Sequence, residues 1–154
     1  MTYTWDYDRQ GRVVRTSGDG GVQEGRMEYK DGYNEVHYPG TGATERYHFD
    51  DDGLVYLKVD ALGGETWYGY DAYDNPVEVR SGNAVWTMGY TPMGSLRRLV
   101  RRTAGMRAVS AREYGYDAYE RLLYVENERG ERYAFERDPN GEVIAERGFD
   151  GRER

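Results

Sequence analysis

An aromatic residue followed by a turn, in its fullest form Tyr-Asp-x-x-Gly, returns about every twenty residues along this chain. The anchors are Tyr7, Tyr29, Phe49, Tyr70, Tyr90 and Tyr116, and Arg137 stands in the same column of the last copy. Successive intervals are 22, 20, 21, 20, 26 and 21 residues. A fixed period of this size marks a repeat architecture, whose units cannot bury their own faces and so pack on their neighbours. Such a chain builds a surface, a wall or a scaffold more readily than a catalytic cleft.

Each unit reads as two strands and two turns. Apolar residues alternate before each first turn, as Trp5/Tyr7, Met27/Tyr29, Tyr47/Phe49, Tyr68/Tyr70, Met88/Tyr90 and Tyr114/Tyr116. Period-two alternation places each pair on one face of a strand. Three turns carry the motif intact: Asp8 to Gly11, Asp50 to Gly53 and Asp138 to Gly141. Here the Asp carboxylate accepts backbone amides, and the Gly supplies the positive φ of a tight hairpin loop. The copy ending at Gly94 loses the Asp, and those at Asp71–Asp74 and Asp117–Glu120 lose the Gly. Asp31-Gly32 is shorter and suits a two-residue type I′ turn. A second, looser turn is expected to close each unit, at Ser17–Gly21, Gly40–Gly42, Asp60–Gly64, Ser81–Asn83 and Asn127–Gly130. Leu96, Leu99 and Val100 have helical spacing, but Thr103-Ala104-Gly105 falls where a second turn belongs, so Ser95–Arg102 is read as a strand.

The expected fold is all-β. It is an array of consecutive antiparallel hairpins in an open or curved sheet cut from a larger shell. Residues 1–154 form a single array of about seven units, ending within a unit because Gly148–Arg154 echoes a second turn with no strand after it. With 16 Tyr, 3 Trp and 3 Phe, packing between units is assigned to the aromatic ladder, each ring burying on the order of 150–250 Å². Mean hydropathy is -0.96, yet the aromatic content argues against disorder.

Repeated Y-x-Y-D-x-x-G-R-[LV] resembles the YD-repeat, or Rhs (rearrangement hotspot), family. The fullest copies are Trp5–Val13 and Tyr114–Leu122, and the resemblance runs from about Tyr3 to Arg154. It implies a segment of a hollow shell that encloses or presents a toxin or adhesion domain. It also implies delivery to the outside or the cell surface as part of a larger bacterial protein; no signal-peptide pattern opens this sequence. The implied partners are neighbouring repeat segments of the parent shell, or further copies through sheet edges, with an enclosed toxin cargo. Asp138-Pro139-Asn140-Gly141 superficially echoes the family's self-cleaving segment, but Glu142-Val143-Ile144 does not continue it, and it reads as an ordinary turn.

Other chemistry finds little footing. A net charge of -7 disfavours nucleic acid, and no apolar run approaches the length that spans a membrane. There is no cysteine, and His37 and His48 lie on separate strands with no nucleophile motif. The Asp50-Asp51-Asp52 triplet lacks the ligand spacing of a calcium loop. Arg97, Arg98, Arg101, Arg102, Arg107 and Arg112 form the one basic cluster, read as a solubilising face. No catalytic residue, metal or cofactor is expected. The alternative is an aromatic-repeat module for carbohydrate or cell wall, with Trp5, Trp67 and Trp86 as candidate ligand-facing rings.

Overall fold

A computed structural model describes residues 2–21, 24–105 and 110–153. Among these there is no α-helix, only a single 3-10 turn at Asp19–Gly21. The strands are β1 (Tyr3–Tyr7), β2 (Val13–Gly18), β3 (Gly25–Tyr29), β4 (Tyr33–Tyr38), β5 (Ala43–Phe49), β6 (Val55–Val59), β7 (Glu65–Tyr70), β8 (Pro76–Ser81), β9 (Ala84–Tyr90), β10 (Leu96–Thr103), β11 (Ser110–Tyr116), β12 (Leu122–Asn127), β13 (Arg132–Arg137) and β14 (Val143–Arg147). They form one 14-stranded sheet in the order of the chain. The all-β fold of consecutive antiparallel hairpins is therefore as the repeat dictates. Of the Ser95–Arg102 stretch, all but Ser95 is strand, within β10, with Leu99 facing Met88 on β9 and Arg112 on β11.

Two compact units divide the chain, residues 1–68 and 69–154. In the first, cross-strand register places Tyr29, Asn34, Tyr47, Lys58 and Thr66 in line on one face. Tyr33, His48, Leu57 and Trp67 line the other. In the second unit, Met88, Leu99, Arg112 and Asn127 share the face of anchor Tyr90, while Gly89, Arg98 and Glu113 share the reverse.

Leu57, Ala84 and Val100 are the buried hydrophobic residues among those described, and no polar residue is buried. A conventional core is absent from the described residues, so cohesion must come largely from strand pairing and from what crosses between hairpins. The anchors accordingly depart from expectation. Tyr29, Phe49, Tyr70, Tyr90 and Tyr116 are only part-buried, and Tyr7 is 61% exposed.

Candidate functional site

The repeated element of this protein is a turn and a cross-hairpin tie. In the first turn, the Asp8 amide donates to the Arg12 carbonyl (2.9 Å) and the Gly11 amide to the Asp8 carbonyl (3.1 Å). Asp8 Oδ1 accepts the amides of Gln10 and Arg12, both at 2.9 Å. Gly11 sits at φ 77°, closing a three-residue loop with a left-handed residue. The Arg12 guanidinium then clasps Asp8 Oδ2 at 2.8 Å. Asp50, Asp71 and Asp117 accept two amides in the same way, two and four residues on. The Asp138 carboxylate accepts the Glu142 amide at 2.8 Å.

The drifted copies keep this geometry. Asp74 and Glu120 hold φ of 63° and 59° where the intact copies have glycine. Their amides still donate to the carbonyls of Asp71 and Asp117. Thr91, in place of Asp, takes the Ser95 amide on its hydroxyl oxygen (3.1 Å) and donates to the Glu120 carboxylate at the next first turn (2.8 Å).

Two expectations are corrected. A type I′ turn needs positive φ at both central residues, but in the Asp31-Gly32 turn only Gly32 has it, at 79°. The second turns are not uniformly looser. Asp60 Oδ1 accepts the amides of Leu62 and Gly64 (both 2.8 Å), and Asn127 Oδ1 those of Arg129 and Glu131 (both 3.0 Å). They repeat the first-turn pattern.

Beyond each of five first turns the returning strand carries one extra residue. Register skips Val14, Tyr56, Arg97, Leu123 and Ile144. Such a bulge twists the strand locally and re-aims the adjoining side chains.

The tie is made by the anchor. Tyr29 Oη donates to the carbonyl of Val13 (2.8 Å), Tyr90 Oη to Pro76 (2.7 Å) and Tyr116 Oη to Leu96 (2.7 Å). Each acceptor belongs to the first residue of the preceding hairpin's returning strand. Arg137, the anchor that is not aromatic, does the same work: its Nη2 reaches the Leu122 carbonyl at 3.0 Å and its Nη1 the Gly141 carbonyl at 2.9 Å. Sequence reasoning treated the anchor as a packing ring and missed its hydroxyl. The preference for Tyr over Phe in that column was the available signal. Burial holds the Tyr90 and Tyr116 phenols above the usual range, so both stay protonated and able to donate.

A polar cluster ties three strands of the first unit. Glu45 accepts from Tyr47 Oη (2.6 Å) and Tyr38 Oη (3.4 Å) and pairs with Lys58 Nζ (2.8 Å). Burial, and then the hydrogen bond to Glu45, push the Tyr47 phenol up to about 12. The hydrogen bond to Glu45 likewise raises Lys58. A lysine held more firmly protonated is poorly suited to act as a base.

The remaining candidates disperse. His37 Nδ1 lies 3.1 Å from the Thr44 hydroxyl, and His48 stacks on Tyr33 with centroids 5.3 Å apart. Asp50 spends its carboxylate on its own turn. The basic cluster splits: Arg101 and Arg112 lie on the anchor face and Arg98 and Arg102 on the reverse, while Arg107 falls outside the described residues. Arg101 stacks over Trp86 at 5.5 Å, and Arg98 pairs with Glu113 at 3.6 Å. In the first unit Trp5 faces Thr16 on the anchor face and Trp67 faces Leu57 on the opposite one, so these two rings share no surface. Trp86 belongs to the second unit. A groove of about 730 Å³ runs between first-turn tips there, lined by Tyr73, Asn75, Pro92, Met93 and Arg97.

Comparison with known proteins adds likeness of fold. No protein-family model matches the chain. No curated protein matches it. Among solved structures, a porin-like protein from Bacteroides uniformis ATCC 8492 is similar with a TM-score of 0.54 and 13% identity, over 99% of this chain and 86% of that one. At that identity the likeness is one of fold. The structures of TcdB2-TccC3-TEV and TcdB2-TccC3-Cdc42 give TM-scores of 0.48 and 0.39, each at 13% identity over 94% of this chain. This chain spans 10% and 11% of the length of those two chains. No helix among the described residues is long and apolar enough to cross a membrane.

Proposed function

We propose that this chain is a structural segment of an Rhs-type, YD-repeat shell, which encloses or presents a toxin or adhesion domain and performs no catalysis of its own. One observation carries the reading. Hairpins are tied to their predecessors by the same side chain-to-carbonyl bond, whether the donor is Tyr29, Tyr90, Tyr116 or Arg137. A tie repeated at the period of the sequence serves the continuity of a sheet, and a sheet without a conventional core serves as a wall.

Ion pairs cross between strands on both faces, which suits a solvated wall. On the reverse face, charges pair across strands: Arg46 with Glu35 (2.8 Å) and Arg132 with Glu126 (2.6 Å). On the anchor face, Lys58 pairs with Glu45 (2.8 Å) beside Tyr47. Partners of this segment are adjoining repeats, and the protein acts outside the cell or at its surface.

An antibody against the chain, applied to extract of the cells that make it, tests the reading through the size of the native band. A band far above 17.8 kDa, releasing a protease-resistant cargo on disruption, is expected. A band at 17.8 kDa would remove enclosure. Oligosaccharide titration followed by Trp fluorescence separates the carbohydrate-binding alternative, which needs a saturable change.

A further inference from the structure

We infer that Tyr56 and Trp67, with Glu65 beside them, receive the arginine side chains of an extended basic peptide on the reverse face of β6 and β7. The site lies within the first unit and does not depend on whether the sheet belongs to a shell.

Four rings cross this face from β4 to β7. Tyr33 stacks on His48 with centroids 5.3 Å apart, His48 lies 6.2 Å from Tyr56, and Tyr56 lies 6.1 Å from Trp67. Tyr56 enters the row through a bulge. It is the residue that register skips between β5 and β6, and the one aromatic among the five skipped residues described above. Its neighbour Leu57 takes the buried place opposite His48 and Trp67, so the bulge turns the Tyr56 ring outward. Tyr33 and His48 are part-buried, whereas Tyr56 and Trp67 are 37% and 44% exposed. The open half of the row is thus a pair of rings tilted 43° to each other.

Elsewhere in this chain, what covers such rings is a cation. Arg12 lies over Tyr29 and Arg132 over Tyr124, both at 4.1 Å. Arg121 lies over Tyr119 at 5.3 Å, Lys58 over Tyr47 at 5.4 Å and Arg101 over Trp86 at 5.5 Å. Among the described residues, no arginine or lysine lies over Tyr56 or Trp67. Cations of the same face are engaged: Arg46 pairs with Glu35 at 2.8 Å, and Lys30 with Glu28 at 2.6 Å. Glu65 supplies the complementary charge. It is exposed, and its Oε2 accepts the Trp67 indole N–H at 3.0 Å, which fixes a carboxylate at the rim of the ring. Arginine suits this pairing, because a planar guanidinium stacks on a ring while its N–H groups donate in plane to a carboxylate. A neutral sugar would use the rings and leave that charge unanswered. A net charge of -7 draws a basic partner to the chain. Side chains two residues apart in an extended peptide share one face about 6.6 Å apart, close to the 6.1 Å between the two rings. Arginines at alternate positions therefore meet Tyr56 and Trp67 together.

The probe is the peptide acetyl-Gly-Arg-Gly-Arg-Gly-amide, titrated into the isotope-labelled chain and followed by NMR. Saturable shifts are expected at the amides of Tyr56, Glu65 and Trp67 and at the Trp67 indole. The same peptide with citrulline for arginine keeps the shape without the charge and should bind about tenfold more weakly. Glu65→Gln and Tyr56→Leu should each weaken binding about threefold, and added salt should weaken it further. No saturable shift with the arginine peptide would overturn the inference. Equal binding of the citrulline peptide would overturn the role of charge. Equal shifts at the Trp5 and Trp86 indoles would reduce the effect to general attraction by an acidic chain and overturn the site. Saturation by cellohexaose or decaproline, with none by the arginine peptide, would overturn the class of ligand. If circular dichroism shows that Tyr56→Leu does not fold, the exposed change Glu65→Gln decides, and an unchanged affinity overturns the inference. The size of the native band in cell extract is untouched by any of these results, so the site and the shell reading fail separately.

Discussion

The guanidinium of Arg137 donates to the main-chain carbonyl of Leu122 at 3.0 Å, in the position where Tyr116 donates its hydroxyl to the carbonyl of Leu96 at 2.7 Å. Two side chains with nothing in common but length and a terminal donor fill one column of the repeat. The column therefore selects for reach and hydrogen bonding as well as for an aromatic ring. Arg137→Tyr should keep the melting temperature within a few degrees of wild type. Arg137→Leu should lose about 1–2 kcal/mol, since it strands a carbonyl that Leu cannot serve. Thermal denaturation followed by circular dichroism distinguishes the two, and equal losses would refute the shared role.

Tyr116 separates ring from hydroxyl. Tyr116→Phe keeps the ring and should cost about 1 kcal/mol, a few degrees of melting temperature. Tyr116→Ala removes both and should cost about 2–3 kcal/mol, less than a fully buried aromatic because this ring is part-exposed. If the Phe variant melts with wild type, the hydroxyl contributes nothing.

Asp74 holds a left-handed backbone at φ 63° without being glycine. Asp74→Gly should stabilise by up to about 1 kcal/mol, because relief of the left-handed strain exceeds the added entropy of the unfolded chain. Asp74→Val should destabilise by more than that. The comparison needs only denaturant midpoints. Glu120, at φ 59°, is a poorer test because its carboxylate also accepts from Thr91.

Stability should fall at both ends of the pH scale. For Asp8 and Asp117, the backbone amides of Arg12 and Arg121 are the leading cause holding the carboxyls below the ordinary 3.8. Folded carboxyls that titrate lower than unfolded ones give stability present above about pH 4 and lost as pH falls through their folded values. Burial and the bond to Glu45 raise Tyr47 from 10.0 to about 12. Its contribution is therefore complete below pH 10 and is lost as pH rises toward 12. Tyr47→Phe should reduce the alkaline loss, and should also soften the acid limb because Glu45 loses a hydrogen bond that helps hold its carboxyl down, as read from urea midpoints across pH.

The strands and most turns were legible because alternation and glycine placement are local. The period alone set the order of the sheet. What sequence did not disclose was how one hairpin holds the next. Tyr29 and Val13 are 16 residues apart and Tyr116 and Leu96 are 20, and nothing in either neighbourhood names its partner. Asp74 and Glu120 look like broken copies in the sequence, since backbone strain in a non-glycine residue is visible only in the dihedral angles. Asn127 looked like a loose turn because an amide oxygen can replace a carboxylate oxygen with no change in geometry. The tryptophans could not be assigned to a common surface without register, since a shift of one residue moves a side chain to the other face.

Strands pair with their neighbours in sequence, so each hairpin can close before the next one exists. Pulled by its two ends, such a chain should yield in instalments. Each step releases one hairpin and one anchor–carbonyl tie, about twenty residues of slack at a time. Threaded through a narrow opening, the chain would resist and give way in the same rhythm.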